Sequence, residues 1–264
     1  MSLIYEPKGK AREYSPLAFN VYSGGCDHGC KYCYCAAINR GAWGNVPRVR
    51  DLRSLPNEAS GASRQILLSF MSDPYCYAEV QHRQTRASLD VLRAARCSVA
   101  ILTKGGRRCL RDLDLFCGWA DGRVKVGATL TMATDDASRQ WEPGAALPSE
   151  RIEALRELHE SGVKTWVSIE PVIDPEQSLE MIGRSLPYVD AYKVGRWNHD
   201  ARANAIDWAA FGRAAVDMIR ASGRALYVKV DLRPYFGNGY LCKEECDSDT
   251  LTLPDRPTES GLFG

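Results

Sequence analysis

Residues 24–35 read GGCDHGCKYCYC and place cysteines at 26, 30, 33 and 35. The stretch directly follows LAFNVYS (17–23), an apolar run that reads as a first strand. Cys26, Cys30 and Cys33 are spaced Cys-x3-Cys-x2-Cys, so one short loop can wrap three thiolates around one iron–sulfur cluster. Three protein ligands leave the fourth iron of a [4Fe–4S] cluster open, whereas simple electron carriers fill all four. An open iron can chelate a substrate. Gly24, Gly25 and Gly29 allow the backbone to approach such a cluster closely. The alternative is a zinc site in a non-catalytic adaptor, with His28 or Cys35 as fourth ligand. Structural zinc sites usually draw ligand pairs from two separate segments. Here the only candidate second pair is Cys242-x3-Cys246.

Outward from the cysteines, the chain alternates strand-like and helix-like patterns. The further strand-like runs are QILLSF (65–70), SVAILT (98–103), VKVGATLTM (124–132), KTWVSIE (164–170), DAYKVG (190–195) and ALYVKV (225–230). Several are nearly continuous in apolar or β-branched residues, as strands buried on both faces should be. Helical spacing is expected over 81–96, from Ser149 as a cap with Pro148 just outside, over 175–185, and over 206–222. This alternation predicts parallel strands with right-handed crossovers. The expected fold is α/β: a partial (β/α)6-type parallel barrel over 17–231, an extended N-terminal arm over 1–16 and an irregular tail over 232–264. Ligand groups in such folds gather at the C-terminal ends of the strands.

Composition narrows the class. The chain has 264 residues, enough for one barrel-sized domain, and a net charge of +1. That balance gives no global attraction to nucleic acid, although a local basic groove is compatible with it. No apolar run has membrane-spanning length, and the N-terminus lacks a signal-peptide core. A cytoplasmic location is expected. Ten cysteines in a reducing compartment point to metal binding before disulfides.

Cys-x3-Cys-x-aromatic-Cys after a first strand resembles the signature of radical S-adenosylmethionine (SAM) enzymes. Cys30-Lys31-Tyr32-Cys33-Tyr34 is similar to the form found in the spore photoproduct lyase branch. The resemblance is best from Cys26 to about Thr131. It implies a [4Fe–4S] cluster on Cys26, Cys30 and Cys33 whose open iron binds SAM, and an electron donor such as flavodoxin or ferredoxin. It also implies that Tyr32 packs near the adenine, that Ser72-Asp73 binds the SAM amino group, and that Lys104 and Thr129 contact the SAM carboxylate. From the residues alone, Ser72-Asp73-Pro74 is equally a turn, Lys104 a solvated strand end, and Thr129 a routine strand residue. Glu170, Lys193, Asn198 and Lys229 fall at later strand ends, either as contacts to SAM ribose or substrate or as structural ion pairs.

One departure matters. The lyase keeps a hydrogen-donor cysteine two residues before the serine of Ser-Asp, and here that residue is Phe70. Cys76 is the nearby candidate for hydrogen transfer, and Tyr34 retains the branch's tyrosine linked to that step. The leading expectation is hydrogen abstraction from a thymine-derived or modified nucleobase in DNA, with modification or rearrangement favoured over repair. The alternative is a small molecule, amino acid or peptide. Arg48, Arg50 and Arg53 near Trp43, and the pair Arg107–Arg108, are candidate phosphate contacts or ordinary solvated charges. Cys35, Cys97, Cys109 and Cys117 read as packing or incidental thiols.

Overall fold

All seven strand-like runs become strands of one sheet, in chain order. The computed structural model describes residues 2–39 and 42–256. Its strands are β1 (Ile4–Tyr5), β2 (Leu17–Phe19), β3 (Tyr22–Ser23), β4 (Arg48–Val49), β5 (Ile66–Leu68), β6 (Val99–Thr103), β7 (Val124–Thr129), β8 (Lys164–Ile169), β9 (Ala191–Val194) and β10 (Ala225–Val228). Eight form a sheet in the order β1-β2-β5-β6-β7-β8-β9-β10, while β3 and β4 pair separately as an antiparallel ribbon. Only β1 runs antiparallel, against β2.

Alternation along each strand sorts the side chains. In β7, Val124, Val126 and Ala128 join the outer cores. Lys125, Gly127 and Thr129 take the opposite face, the inside of the curve. The helices Gln84–Ala94, Pro148–Glu160, Pro175–Ser185 and Trp208–Ala221 cover the outside through buried residues such as Leu92, Leu158, Met181 and Phe211. Burying a side chain of that size contributes about 1.5–3 kcal/mol. Pro148 is the first helical residue rather than the residue outside, and Ser149 is not the cap. Proline suits that position because its missing N–H would have had no helical partner. Glu150 instead turns back to accept the Leu147 N–H at 2.8 Å. Asp174 and Asp207 cap the next two long helices through their carboxylates.

The sheet closes far enough for its two edges to share contacts. Tyr14, just before β2, reaches Ser168 in β8 with its hydroxyl at 2.9 Å. Glu13 accepts hydrogen bonds from Tyr227 of β10 and from the Val230 N–H. Lys193 is buried, donates to the carbonyls of Glu13 and Tyr14, and lies between the Tyr14 and Tyr227 rings. Burial pushes its amine well below the usual lysine range. The N-terminal arm is thus packed onto the barrel. It adds an edge strand, and a short 3-10 turn (Gly9–Glu13) then carries it across the open side of the barrel.

The first run, 17–23, breaks into two strands. Asn20 causes the break, because its side-chain oxygen accepts the N–H groups of Phe70 and Met71, both at 2.9 Å. This ties the end of β2 to the loop after β5. The C-terminal tail is largely irregular, as expected, and it packs against the barrel. It forms a short helix (Lys243–Cys246), buries Leu251 and Leu253, and places carbonyls of Leu251 and Pro254 against Lys125 and Arg123. It thus seals the N-terminal ends of the strands. Residues 257–264 of that tail, and Met1 of the arm, lie outside the described residues. No described helix is long and apolar enough to cross a membrane.

Trp166 fills the barrel interior, and its indole donates to the Ile101 carbonyl at 2.9 Å. Gly127 makes room for it, since a Cβ there would stand 2.4 Å from the Trp166 carbonyl oxygen and 2.6 Å from its indole nitrogen. Gly127→Ala is expected to lower stability by about 1–3 kcal/mol, the usual range for overpacking. Urea unfolding measures this, and an unchanged midpoint would refute the packing argument.

Candidate active site

One cavity of about 320 Å³ opens at the C-terminal ends of the strands. Cys26, Cys30 and Cys33 line it, together with Tyr32, Tyr34, Ser72, Asp73, Lys104, Thr129 and Glu170. These residues come from the ends of four strands, β5 to β8, and the segment after β3. Asn198 and Lys229 line it too, whereas Cys76 and Lys193 do not.

The cysteine loop is held from both sides. The Cys26 N–H donates to the Gly44 carbonyl at 3.0 Å, and Gly44 returns a bond to Gly24. A Cβ on Gly25 would lie 2.5 Å from the Gly44 oxygen, so this close approach requires glycine. Gly25 therefore serves the neighbouring strand of chain rather than a cluster. Asp27 accepts the N–H groups of Tyr77 and Ala78. His28 is buried between Arg108, 3.0 Å from Nε2, and Asp73, 3.6 Å from Nδ1. Burial pushes its imidazole below the ordinary histidine value.

The three thiols differ in environment. Burial pushes both Cys26 and Cys30 up to about 12. Cys33 is held below the ordinary thiol value, first by the hydrogen bond from the Cys35 thiol. Cys35 also lines the cavity, with its sulfur 3.8 Å from the Phe70 carbonyl oxygen. It is buried, as a packing thiol should be, and also borders the cavity. Its place at the start of the helix Tyr34–Ile38, two residues after Cys33, was the available signal. Tyr34 donates to the same Phe70 carbonyl at 2.6 Å.

Cys76 faces away from the cavity. Asp73 accepts the Tyr75 N–H at 2.8 Å, and the resulting turn delivers Cys76 into the outer core beside Tyr22 and Leu55. The thiol is buried and does not line the cavity, so the structure does not bring Cys76 together with the other candidate residues.

Asp73 does not offer a vacant carboxylate either. Its oxygens accept from the Thr103 hydroxyl at 2.6 Å, the Lys104 N–H at 2.7 Å and the Tyr75 N–H. Burial pushes its pKa up, but His28 and these donors outweigh it and hold the carboxyl below the usual range. Asp73 thereby fastens the loop after β5 to the end of β6. Beside it, Ser72 has a left-handed backbone, φ 66°, and its buried Oγ has no hydrogen-bond partner. A buried hydroxyl without a partner suits a site whose donor arrives with a ligand.

Tyr32 is anchored by two residues that the sequence did not flag. Its hydroxyl donates to Glu142, which also accepts from Thr131 at 2.8 Å and from Arg151 at 2.5 Å. Lys104 stands 5.6 Å from the centre of the Tyr32 ring. Burial disfavours its charge, but Cys30 and Glu142 raise its pKa above the ordinary lysine value. On the other wall, Glu170 accepts from Tyr14 at 2.8 Å, from Asn198 at 3.1 Å and from Lys229. Its carboxylate is thus filled by protein groups, the ion-pair alternative for these strand-end residues.

The basic groups expected near the mouth are mostly spent. Arg53 pairs with Asp51, and Arg50 donates to the Asn20 carbonyl. Arg107 pairs with Glu153 and Glu157, while Arg108 bonds Tyr75 and stacks on Tyr77. Among the described residues, no three His, Cys, Asp or Glu side chains close on a single-ion site. A four-iron cluster is a larger body that keeps its thiolates farther apart than one zinc ion does. Three thiols at one cavity, an open floor and an orphan hydroxyl fit a cluster with a chelated ligand.

Comparison with known proteins gives a consistent result. The radical SAM superfamily profile matches residues 20–186. An uncharacterized protein of Methanocaldococcus jannaschii is 32% identical over 175 residues, covering 64% of this chain and 65% of that protein. A spore photoproduct lyase mutant superposes with a TM-score of 0.65 at 11% identity, covering 86% of this chain and 79% of the lyase. Streptococcus suis SuiB bound to S-adenosylmethionine gives 0.61 at 12% identity, covering 83% of this chain and 52% of SuiB. At such identities the structural likenesses show the fold. The chain therefore spans about two thirds of the curated relative and about half of SuiB.

Proposed function

The chain belongs to the radical SAM superfamily, whose members use a [4Fe–4S] cluster, SAM and a reductant, and from this premise we propose that it abstracts hydrogen from a thymine-derived or modified nucleobase in DNA. The observation that carries this reading is the single cavity onto which Cys26, Cys30 and Cys33 converge with the orphan Ser72 hydroxyl. When bound, the cluster and SAM supply a 5′-deoxyadenosyl radical that takes a hydrogen atom from the substrate.

The chain's own residues bind and orient. Ser72 Oγ accepts from the SAM amino group, and Lys104 meets the SAM carboxylate with Thr129 beside it. Tyr32, pinned by Glu142, presents a fixed ring to the adenine. Asp73 positions Ser72 and Lys104. Tyr34 borders the hydrogen-transfer region. A flavodoxin- or ferredoxin-like protein is the electron donor.

Volume limits the substrate to a small group. A cavity of about 320 Å³ is at the low end for one drug-sized ligand. With SAM inside, only a small projecting group fits, as an extruded base would. Trp43 lines the same cavity half-buried and offers a ring for stacking. A peptide side chain is the second reading, because SuiB, which shares the fold, has been solved bound to its precursor peptide SuiA.

Anaerobic reconstitution with iron and sulfide, then reduction with SAM and methyl-deuterated thymine DNA, tests the proposal. The expected result is 5′-deoxyadenosine carrying deuterium. Unlabelled 5′-deoxyadenosine that gains label from a deuterated peptide would move the substrate to the second reading. Stoichiometric zinc with no SAM cleavage would overturn the cluster assignment.

A further inference from the structure

The cavity holds more positive charge than its own acids neutralise. Asp73 and Glu170 are its two lining carboxylates, and both are filled by protein donors. Lys10 at the rim pairs with Asp231, and Lys229 pairs with Glu170. Two lining cations, Lys104 and Arg196, meet no carboxylate at salt-bridge distance among the described residues. The proposed function gives Lys104 the SAM carboxylate. Arg196 follows β9, three strands along the sheet from Lys104, and that reading leaves it without a partner.

Arg196 is held rigidly. Its Nη1 donates to the Tyr235 hydroxyl at 2.7 Å. Its guanidinium lies 5.1 Å from the Trp208 ring centre and 5.5 Å from that of Tyr235. Trp208 is itself buried and donates to the Ala203 carbonyl at 2.9 Å. Yet Arg196 Nε is buried without any hydrogen-bond partner, and no described group accepts from Nη2. The Nε–Nη2 edge of a guanidinium is a fork that matches two oxygens of one phosphate or carboxylate. Arg196 lines the ligand cavity and keeps this edge unpaired, which suits an incoming oxyanion.

We propose that Arg196 reads an anionic group of the substrate, and that this group is a backbone phosphate next to the base entering the cavity. The assignment rests on the nucleobase reading above. Phosphate is favoured over carboxylate because Trp43, half-buried, lines the same cavity, so a base and its phosphate find an aromatic ring and a cation together. Of the five arginines suggested by sequence, Arg50, Arg53, Arg107 and Arg108 are engaged within the protein.

The test uses reconstituted holoenzyme with SAM and a fluorescein-labelled single-stranded DNA oligonucleotide, titrated at several salt concentrations. Arg196→Gln is expected to weaken binding about tenfold and to reduce the salt slope by about one phosphate contact. Arg196→Lys should restore the slope while recovering only part of the affinity, since lysine lacks the fork. A methylphosphonate at the contacted position should mimic Arg196→Gln in the wild type. Iron content and thermal melting confirm that the variants are folded.

If Arg196→Gln binds DNA with the wild-type slope, the inference fails and the nucleobase reading stands. If the wild type cleaves SAM but binds no DNA, the nucleobase reading itself fails. Loss of binding to an acidic peptide instead of DNA would replace phosphate by carboxylate. Loss of SAM binding in equilibrium dialysis would place Arg196 on SAM and overturn the proposal.

Discussion

Replacing Cys26, Cys30 or Cys33 by serine is expected to remove the cluster and with it all formation of 5′-deoxyadenosine. Each residue would supply one of only three protein ligands, so no remaining ligand can share the load. Partners that merely support a ligand typically cost 10–100-fold when lost, and removal of a ligand itself should exceed about a hundredfold. The control is the pair Cys242 and Cys246, which sits in the tail and does not line the cavity. The Cys242→Ser/Cys246→Ser double variant should keep full iron content. Anaerobic iron analysis and chromatography of 5′-deoxyadenosine read both outcomes. Serine variants that retain full iron and SAM cleavage would dismantle the site described above.

The same thiols predict a pH dependence for loading. Burial pushes Cys26 and Cys30 up to about 12, so both thiols carry protons at neutral pH before a metal binds. Iron must displace those protons, because thiolate rather than thiol is the ligand. Cluster incorporation should therefore fall as pH is lowered and rise towards alkaline pH.

Much of the framework was legible in the sequence, because it depends on local pattern. Apolar runs of four to eight residues between helical repeats specify strands buried on both faces. Cysteine spacing fixes which thiols share a loop. What escaped depends on partners distant in sequence. Tyr32 and Glu142 are 110 residues apart, and Tyr14 and Glu170 are 156 apart. No periodicity announces such pairs. The arginines at 50, 53, 107 and 108 looked available because a sequence lists charges without their partners. Cys76 is a related case. In SFMSDPYCY it is close to Ser72 along the chain, but the Asp73 turn sends it to the opposite face of the loop. Arg196 is the converse case, ordinary in sequence and conspicuous only once its neighbours show an unused edge.

Removing the carboxylate of Glu142 should produce the largest loss of stability of any single change near the cavity. Glu142 and Arg151 are both buried, with side-chain exposures of 0% and 1%, and meet at 2.5 Å. Burial alone would push the carboxyl up and the guanidinium down, yet each holds the other charged. Arg151 also donates to the carbonyls of Ala146 and Thr129, at 2.9 and 3.0 Å. The pair thus joins the helix Pro148–Glu160 to the end of β7 and, through Tyr32, to the cysteine loop. Glu142→Ala leaves a buried guanidinium without its counter-charge, which costs about 3–5 kcal/mol. That is a large fraction of the roughly 5–15 kcal/mol by which a native domain is stable. Glu142→Gln keeps an acceptor for Tyr32 and Thr131 but loses the charge, so its loss should be smaller and the protein should fold. Adding Arg151→Met to Glu142→Gln removes the orphaned charge and should recover part of the stability, giving a coupling that urea unfolding can measure as a double-mutant cycle. Because Tyr32 loses its anchor in Glu142→Ala, SAM should also bind more weakly wherever the variant remains folded. Additive losses in the cycle, with unchanged SAM affinity, would reduce Glu142 to a replaceable core residue.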